Sequence, residues 1–204
     1  YPVMQVASAE GYVRDPELVI NFYNERRKQL LDVEPNAGHT GLAELEKDFN
    51  VTVVTQNVDN LHERAGSTHV IHLHGELTKV CSSRDPYNPR YVRELKPEEY
   101  EVKMGDKAGD GSQLRPFIVW FGEAVPEIET AIGYVEKADI FVIIGTSMNV
   151  YPAAGLLNYV PRTAEVYLID PKPVDTHSMR QIHVIQKGAS EGVKELKELL
   201  LQNH

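Results

Sequence analysis

The sequence predicts an α/β protein, a parallel sheet with helices on both faces that is interrupted by a small inserted module. Two observations carry the sheet. Short, continuous apolar runs recur at 51–55, 69–73, 118–121, 139–145, 164–170 and 183–186, with helical patterns between several of them. Continuous apolar strands separated by helices indicate a parallel sheet buried on both sides. A third observation gives the module: residues 82–114 are polar, rich in turn residues and without a long apolar period. A stretch this long inside a compact domain reads as a module rather than bare loop. The expected division is 1–81 with 115–204 for the sheet domain, and 82–114 for the insert.

In chain order, residues 15–31 (DPELVINFYNERRKQLL) form the first expected helix. Asp15 serves as N-cap and Pro16 as first helical residue, with Leu18, Phe22 and Leu30 as the apolar face. A second helix is expected over Gly41–Phe49, and VTVVT at 51–55 is a short β-branched run that reads as a buried strand. HVIHL, IVWF, DIFVIIG, AEVYLID and HVIQ are the later strands. The C-terminal SEGVKELKELL opens at Ser190 and carries Val193, Leu196, Leu199 and Leu200 at helical spacing. That is a packing helix with no chemistry assigned to it.

The bulk composition narrows the function classes. A net charge of -9 argues against a general nucleic-acid binder, which needs a basic face. A single cysteine, Cys81, excludes an internal disulfide and a metal site built from cysteines. No apolar run approaches the roughly 20 residues of a membrane span, and no signal peptide pattern is visible. The expectation is a cytoplasmic protein without membrane or nucleic-acid partners.

Ligands of an open parallel sheet sit beyond the carboxyl ends of its strands. Two polar clusters follow apolar strands in this way. In TQNVDNLHERAG (55–66), Gln56, Asn57 and Asp59 offer hydrogen bonds to a ribose, a carboxamide or a water, although a helix-capping turn uses the same residue types. In GTSMNVYPAAG (145–155), a Gly-Thr-Ser turn after a strand can present N–H groups and hydroxyls to a phosphate. No G-x-G-x-x-G or P-loop pattern is present. His69, His72 and His74 recur along HVIHLHG; read as alternating on one strand face, they resemble a metal cluster. His74, followed by Gly75 where the strand ends, is the better placed for a general base.

TQNVDNLHERAG, HVIHLHGEL, RPFIVWFGE and GTSMNVYPAAG, in this order across residues 55–155, resemble the sirtuins, NAD-dependent protein-lysine deacylases. The match is nearest to the bacterial subgroup that also removes succinyl and malonyl groups. The resemblance implies a Rossmann-like fold, NAD, and acylated-lysine proteins as substrates. It makes His74 the base that deprotonates a ribose hydroxyl. Asn57 and Asp59 would hold a water and the nicotinamide carboxamide, and Gln56 the ribose. Gly145, Thr146 and Ser147 would contact phosphate and ribose, and Ala189 the adenine. Phe121, Gly122 and Glu123 with Asn149, Val150 and Tyr151 would clamp the substrate backbone by strand addition. Val119 and Phe121 would line the acyl-lysine tunnel. Tyr23 and Arg26 match the Y-x-x-R pair that reads acidic acyl groups, and their i, i+3 spacing puts both on one helix face. The implied reaction starts when the acyl oxygen displaces nicotinamide. His74 then promotes attack of a ribose hydroxyl on the resulting imidate, and water releases lysine and an O-acyl-ADP-ribose.

The chain departs from the family at three places. The usual structural zinc needs four cysteines after HGEL, and only Cys81 is present, so no zinc is expected. The family's asparagine near the end of VYLID is Ile169 here, which leaves Asp170 as the adenosine-ribose candidate. The glycine-rich opening segment is absent and would lie upstream of Tyr1. The fold is accordingly expected to be incomplete at the N-terminus, and the 204-residue chain inactive on its own. Other functions open to the sequence are a sirtuin-like ADP-ribosyltransferase or NAD hydrolase, and a non-catalytic module that binds NAD or acyl-lysine.

Overall fold

The computed structural model describes residues 1–145, 153–174, 176 and 180–204. In chain order the main elements are α1 (Val3–Val6), α2 (Ala9–Arg14), α3 (Pro16–Leu30), α4 (Ala37–Glu44), β1 (Val53–Thr55), α5 (Leu61–Arg64), β2 (Val70–His72), β3 (Gly75–Ser82), β4 (Arg93–Glu94), β5 (Leu114–Ile118), α6 (Ile128–Val135), β6 (Ile140–Ile144), α7 (Ala153–Leu156), β7 (Glu165–Ile169), β8 (His183–Ile185) and α8 (Ala189–Asn203). They divide into two compact units. One contains Tyr1–Glu34, Thr55–Asn60 and His72–Pro126; the other contains Pro35–Val54, Leu61–Ile71 and Glu127–His204.

The second unit holds the parallel sheet, in the order β6-β7-β8. Ile140–Ile144 run in register with Glu165–Ile169, and Tyr167–Ile169 with His183–Ile185. Val166, Tyr167, Leu168 and Ile169 are all buried, as expected of a central strand covered on both faces. Leu45, Ile185 and the α8 residues Val193, Leu196 and Leu200 pack on Tyr167 and Ile169 to make the core. α8 begins at Ala189, one residue before the expected opening at Ser190, and Gly188 is its N-cap. α4 begins four residues before the expected Gly41, because Asn36 and His39 form a reciprocal capping box.

The first unit is built on an antiparallel sheet, β4-β3-β5. This corrects the expectation that all the apolar runs join one parallel sheet. The strand expected at 118–121 lies earlier, at Leu114–Ile118, and pairs with β3; residues 119–121 leave the ladder. The polar segment 82–114 therefore closes between two strands of this sheet. Its apolar residues Leu95, Val102 and Ala108 form a small core with Val80, Leu114 and the helical Ile20.

α3 starts where expected, with the Asp15 carboxylate accepting the Leu18 N–H and Pro16 at the first turn. Its buried face differs from the one expected: Val19, Ile20, Tyr23, Asn24, Arg27 and Leu30 are inside, while Leu18 and Phe22 are only partly covered. Polar residues occupy this face because the insert brings backbone groups to meet them. Asn24 exchanges hydrogen bonds with Val102 N–H and C=O at 2.9 and 2.8 Å. The Arg27 guanidinium donates to Leu77 O, Tyr100 O and Asn24 Oδ1. Burial lowers its pKa to about 10, so it remains a cation at neutral pH.

Candidate functional site

In the first unit, segment 55–58 is tied residue by residue to segment 72–77. Thr55 O accepts Leu73 N–H at 2.9 Å, and Val58 O accepts Leu77 N–H at 2.8 Å. Between these backbone bonds two histidine side chains reach the loop. His72 Nδ1 lies 2.9 Å from Asn57 O, and the His74 ring hydrogen-bonds the Gln56 backbone. Asn57 N–H is taken by Thr55 Oγ1 at 3.0 Å, which tightens the turn. Gln56 and Asp59 are part-buried and Asn57 is exposed, so the polar side chains of the loop remain accessible. The buried Oδ1 of Asn60 has no hydrogen-bond partner among the described residues.

His74 follows β2, and its carbonyl accepts the Val119 N–H at 2.9 Å. Burial lowers the pKa of its imidazole, only partly opposed by the bond to Gln56. The ring is therefore neutral at ordinary pH. With one ring N–H donated to Gln56, the other nitrogen carries a lone pair. The next residue, Gly75, has φ +86°, and a Cβ there would lie 2.1 Å from Phe117 O. Only glycine lets β3 start so close to β5.

The three histidines do not form a metal cluster. His69 bonds Thr52 Oγ1 at 2.9 Å and meets the Tyr134 ring edge-on. His72 is buried against Asn57, whereas His74 is half-buried beyond the strand end. His69 precedes β2 and His72 ends it, an odd number of residues apart where alternation needs an even one, and a turn begins at 73 before His74.

Of the residues matched to substrate binding, Tyr23 meets Trp120, itself 2% exposed, and Val119 and Phe121 flank that tryptophan in sequence. Tyr23 is buried, and its hydroxyl accepts Trp120 Nε1–H at 3.1 Å, a bond that the helix-face reading could not foresee. Burial raises the Tyr23 pKa, so the hydroxyl keeps its own proton. Arg26 is exposed, with its guanidinium 5.8 Å from the Phe22 ring centre. Phe121 is 61% exposed, and its N–H donates to Ala7 O at 3.0 Å. Gly122 turns the chain with φ +88°.

Glu123 faces inward. Its carboxylate accepts from Trp120 N–H at 2.8 Å, Tyr87 O–H at 2.7 Å and Arg115 Nη1 at 3.2 Å. Burial works to raise its pKa, but the Arg115 hydrogen bonds and charge, with Trp120 N–H and Tyr87, outweigh this and hold it below the ordinary carboxylate value. Arg115 in turn lies 3.8 Å from the Trp120 ring centre. Sequence reading missed Arg115, Tyr87 and Trp120, whose only signal was a buried-type tryptophan beside charged residues.

In the second unit, the carboxyl ends of the parallel strands line up. Gly145, at φ +62°, donates its N–H to Ile169 O at 3.2 Å, and Asp170 N–H donates to Ile185 O at 3.2 Å. Asp170 Oδ1 accepts Lys172 N–H at 2.8 Å. Ala189 is exposed at the first turn of α8. Thr146, Ser147, Asn149, Val150 and Tyr151 lie outside the described residues.

The base of the insert, where β3 leads into it and β5 leaves it, has a donor set unlike the family's four cysteines. The Cys81 thiol is fully buried with Sγ 3.7 Å from Pro116 O, and burial pushes its pKa up to about 12. Among the described residues of 75–118, no three Cys, His, Asp or Glu side chains converge. Instead Asp110 accepts the Ser82 and Ser112 hydroxyls at 2.5 and 2.6 Å and the Ser112 N–H at 3.1 Å. These residues do not fit a tetrahedral zinc site.

The Sir2 family model matches residues 2–152. A protein of Bacteroides thetaiotaomicron named NAD-dependent protein deacylase is 84% identical over 201 residues, covering 98% of this chain and 86% of its own. A Helicobacter pylori protein of the same name is 46% identical over 202 residues, covering 99% of this chain and 86% of its own. Among solved structures, a mutant Sir2 homologue in complex with ADP ribose matches with TM-score 0.84 at 33% identity, over 100% of this chain and 81% of that one. A Sir2 homologue in complex with NAD matches with TM-score 0.82 at 33% identity, over 99% of this chain and 78% of that one. The family match and these relatives agree with the Rossmann-like α/β fold, and the chain belongs to the Sir2 family.

Proposed function

We propose that the chain is an NAD-dependent protein-lysine deacylase in which His74 is the general base. The observation that carries this is the state of His74. It is neutral, half-buried, and fixed through Gln56 to a loop whose polar side chains remain accessible. The loop fits a carboxamide- and ribose-bearing ligand through Gln56, Asn57 and Asp59, and the buried orphan acceptor of Asn60 suits an N–H donor. In the second unit, Gly145, Asp170 and Ala189 stand where an open parallel sheet receives a nucleotide, beyond the carboxyl ends of its strands.

When bound, NAD supplies the ribose carbon that accepts the acyl oxygen as nicotinamide leaves. The chain's own contribution is to orient and to move a proton. Donation of one ring N–H to Gln56 fixes the His74 tautomer and leaves the second nitrogen to take a proton from a ribose hydroxyl. Tyr23, still protonated, can donate to an acyl carboxylate that Arg26 neutralises, which favours succinyl and malonyl over acetyl groups. Zinc has no role in this reading, because the donor set of the insert does not suit it.

His74→Ala tests the reading. Turnover of an acylated peptide should be lost while the circular dichroism spectrum is unchanged; unchanged turnover would remove His74 from the mechanism. Mass spectrometry of the wild-type products should show O-acyl-ADP-ribose, and an ADP-ribosylated protein in its place would favour a transferase. For acyl choice, Tyr23→Phe and Arg26→Met should raise KM for succinyl-peptide by about 10-fold or more relative to acetyl-peptide. An unchanged ratio removes the pair from specificity.

A further inference from the structure

His72 is a buried polar residue that the deacylase reading leaves without a task, since its ring lies inside β2 rather than beyond the strand end. Its immediate partner, however, is the carbonyl of Asn57, 2.9 Å from Nδ1. A carbonyl only accepts, so the proton sits on Nδ1 and the tautomer is fixed. On the opposite side, Nε2 faces Glu76 Oε1 at 3.9 Å, and Glu76 Oε2 is paired with Lys79 Nζ at 2.7 Å.

The location of this bond gives it its importance. Backbone bonds hold the loop at Thr55 and Val58, where Leu73 N–H and Leu77 N–H supply the donors. The turn at 73–74 interrupts the ladder between those points, and the donor that meets Asn57 O is the His72 side chain. Without it, a carbonyl in a tight turn loses its partner and the peptide plane at 57–58 is free to rotate. That plane sets the direction of the neighbouring Asn57 and Asp59 side chains. A rotation there moves them by an ångström or more, and misplacement of this size costs up to about 100-fold in rate.

We infer that His72 is a positioning residue, which holds Asn57 and Asp59 in their NAD-binding geometry by donating Nδ1–H to the Asn57 carbonyl. The inference rests on the reading of this loop as the nicotinamide side of the site. It also makes the two histidines of HLHG complementary. His74 fastens Gln56 and has its second nitrogen for chemistry, while His72 fastens Asn57 and takes no part in proton transfer.

Two polar substitutions separate the hydrogen bond from simple packing. His72→Asn places an amide N–H close to the position of Nδ1, whereas His72→Gln places it near Nε2, out of reach of Asn57 O. In the protein as encoded, His72→Gln should raise KM for NAD and slow nicotinamide exchange by about 10- to 100-fold. KM for the acyl-peptide should change by less than about threefold, and His72→Asn should recover most of the loss. Thermal unfolding of both variants reports whether the fold is kept. Equal impairment of the Asn and Gln variants, or equal loss toward NAD and peptide, would overturn the inference in favour of a packed core histidine. Asn57→Ala is the control for the underlying reading. If that variant leaves NAD kinetics unchanged, the loop is not the NAD site. If it impairs them and His72→Gln does not, only the role of His72 falls.

Discussion

Glu123 accepts the backbone N–H of Trp120 at 2.8 Å, and the same oxygen accepts the Tyr87 hydroxyl at 2.7 Å. The carboxylate thus closes the turn between β5 and the exposed Phe121 while it neutralises the buried Arg115. Glu123→Ala leaves that cation without its carboxylate and should destabilise the protein by about 3 kcal/mol in urea unfolding. Glu123→Gln keeps an acceptor for Trp120 and Tyr87 and should cost less. If the Ala variant matches wild type, the pair contributes nothing to stability.

The base of the insert should titrate through a single carboxylate, Asp110. The Ser112 hydroxyl, then the Ser82 hydroxyl, hold the Asp110 pKa at about 2, below its ordinary value of 3.8. A depressed folded-state pKa gives stability that is fully present above the unfolded value and is lost as pH falls through the folded one. The Tm gap between wild type and Asp110→Asn should therefore be constant above about pH 5 and close as pH approaches 2. A gap independent of pH would show that the charge of Asp110 is irrelevant.

Burial of His74 has a kinetic signature. A base with a lowered pKa is neutral, and so competent, at lower pH than a free imidazole. The acid limb of kcat/KM should have its midpoint below the usual value of about 6.5. A midpoint at or above that value would assign the limb to another group.

Gly75 is constrained twice, by its positive φ and by the proximity of Phe117 O. Gly75→Ala should reduce stability by at least 1–3 kcal/mol, roughly the cost of one strained backbone residue. It should also reduce turnover, because His74 precedes it. Chemical unfolding and steady-state assays check both; a variant with wild-type stability would mean that β3 can move away from β5 without cost.

The locally determined features were legible in the sequence. Asp15 and Pro16 announce α3, and the β-branched runs of β6, β7 and β8 give the parallel sheet, because caps and strand propensity act over a few residues. Features that depend on distant partners were not legible. Tyr23 and Trp120 are 97 positions apart, and nothing near either one shows that indole meets phenol. The Val19 and Ile20 face of α3 was missed for the same reason: the insert covers Asn24 and Arg27 and so turns two polar residues inward. Within the site, HLHG marked His74 by its position at a strand end. The attachment of His72 to Asn57 depends on a turn geometry that no pattern of residue types encodes.

Cys81 has a practical consequence. It is the only thiol in the chain, it is buried within β3 opposite Arg115 of β5, and its pKa of about 12 leaves almost no thiolate at neutral pH. Maleimide dyes and spin labels should pass it by in the folded state. A second cysteine introduced on an exposed residue such as Val13 would then carry a reporter group at one defined position, with no need to remove the native thiol.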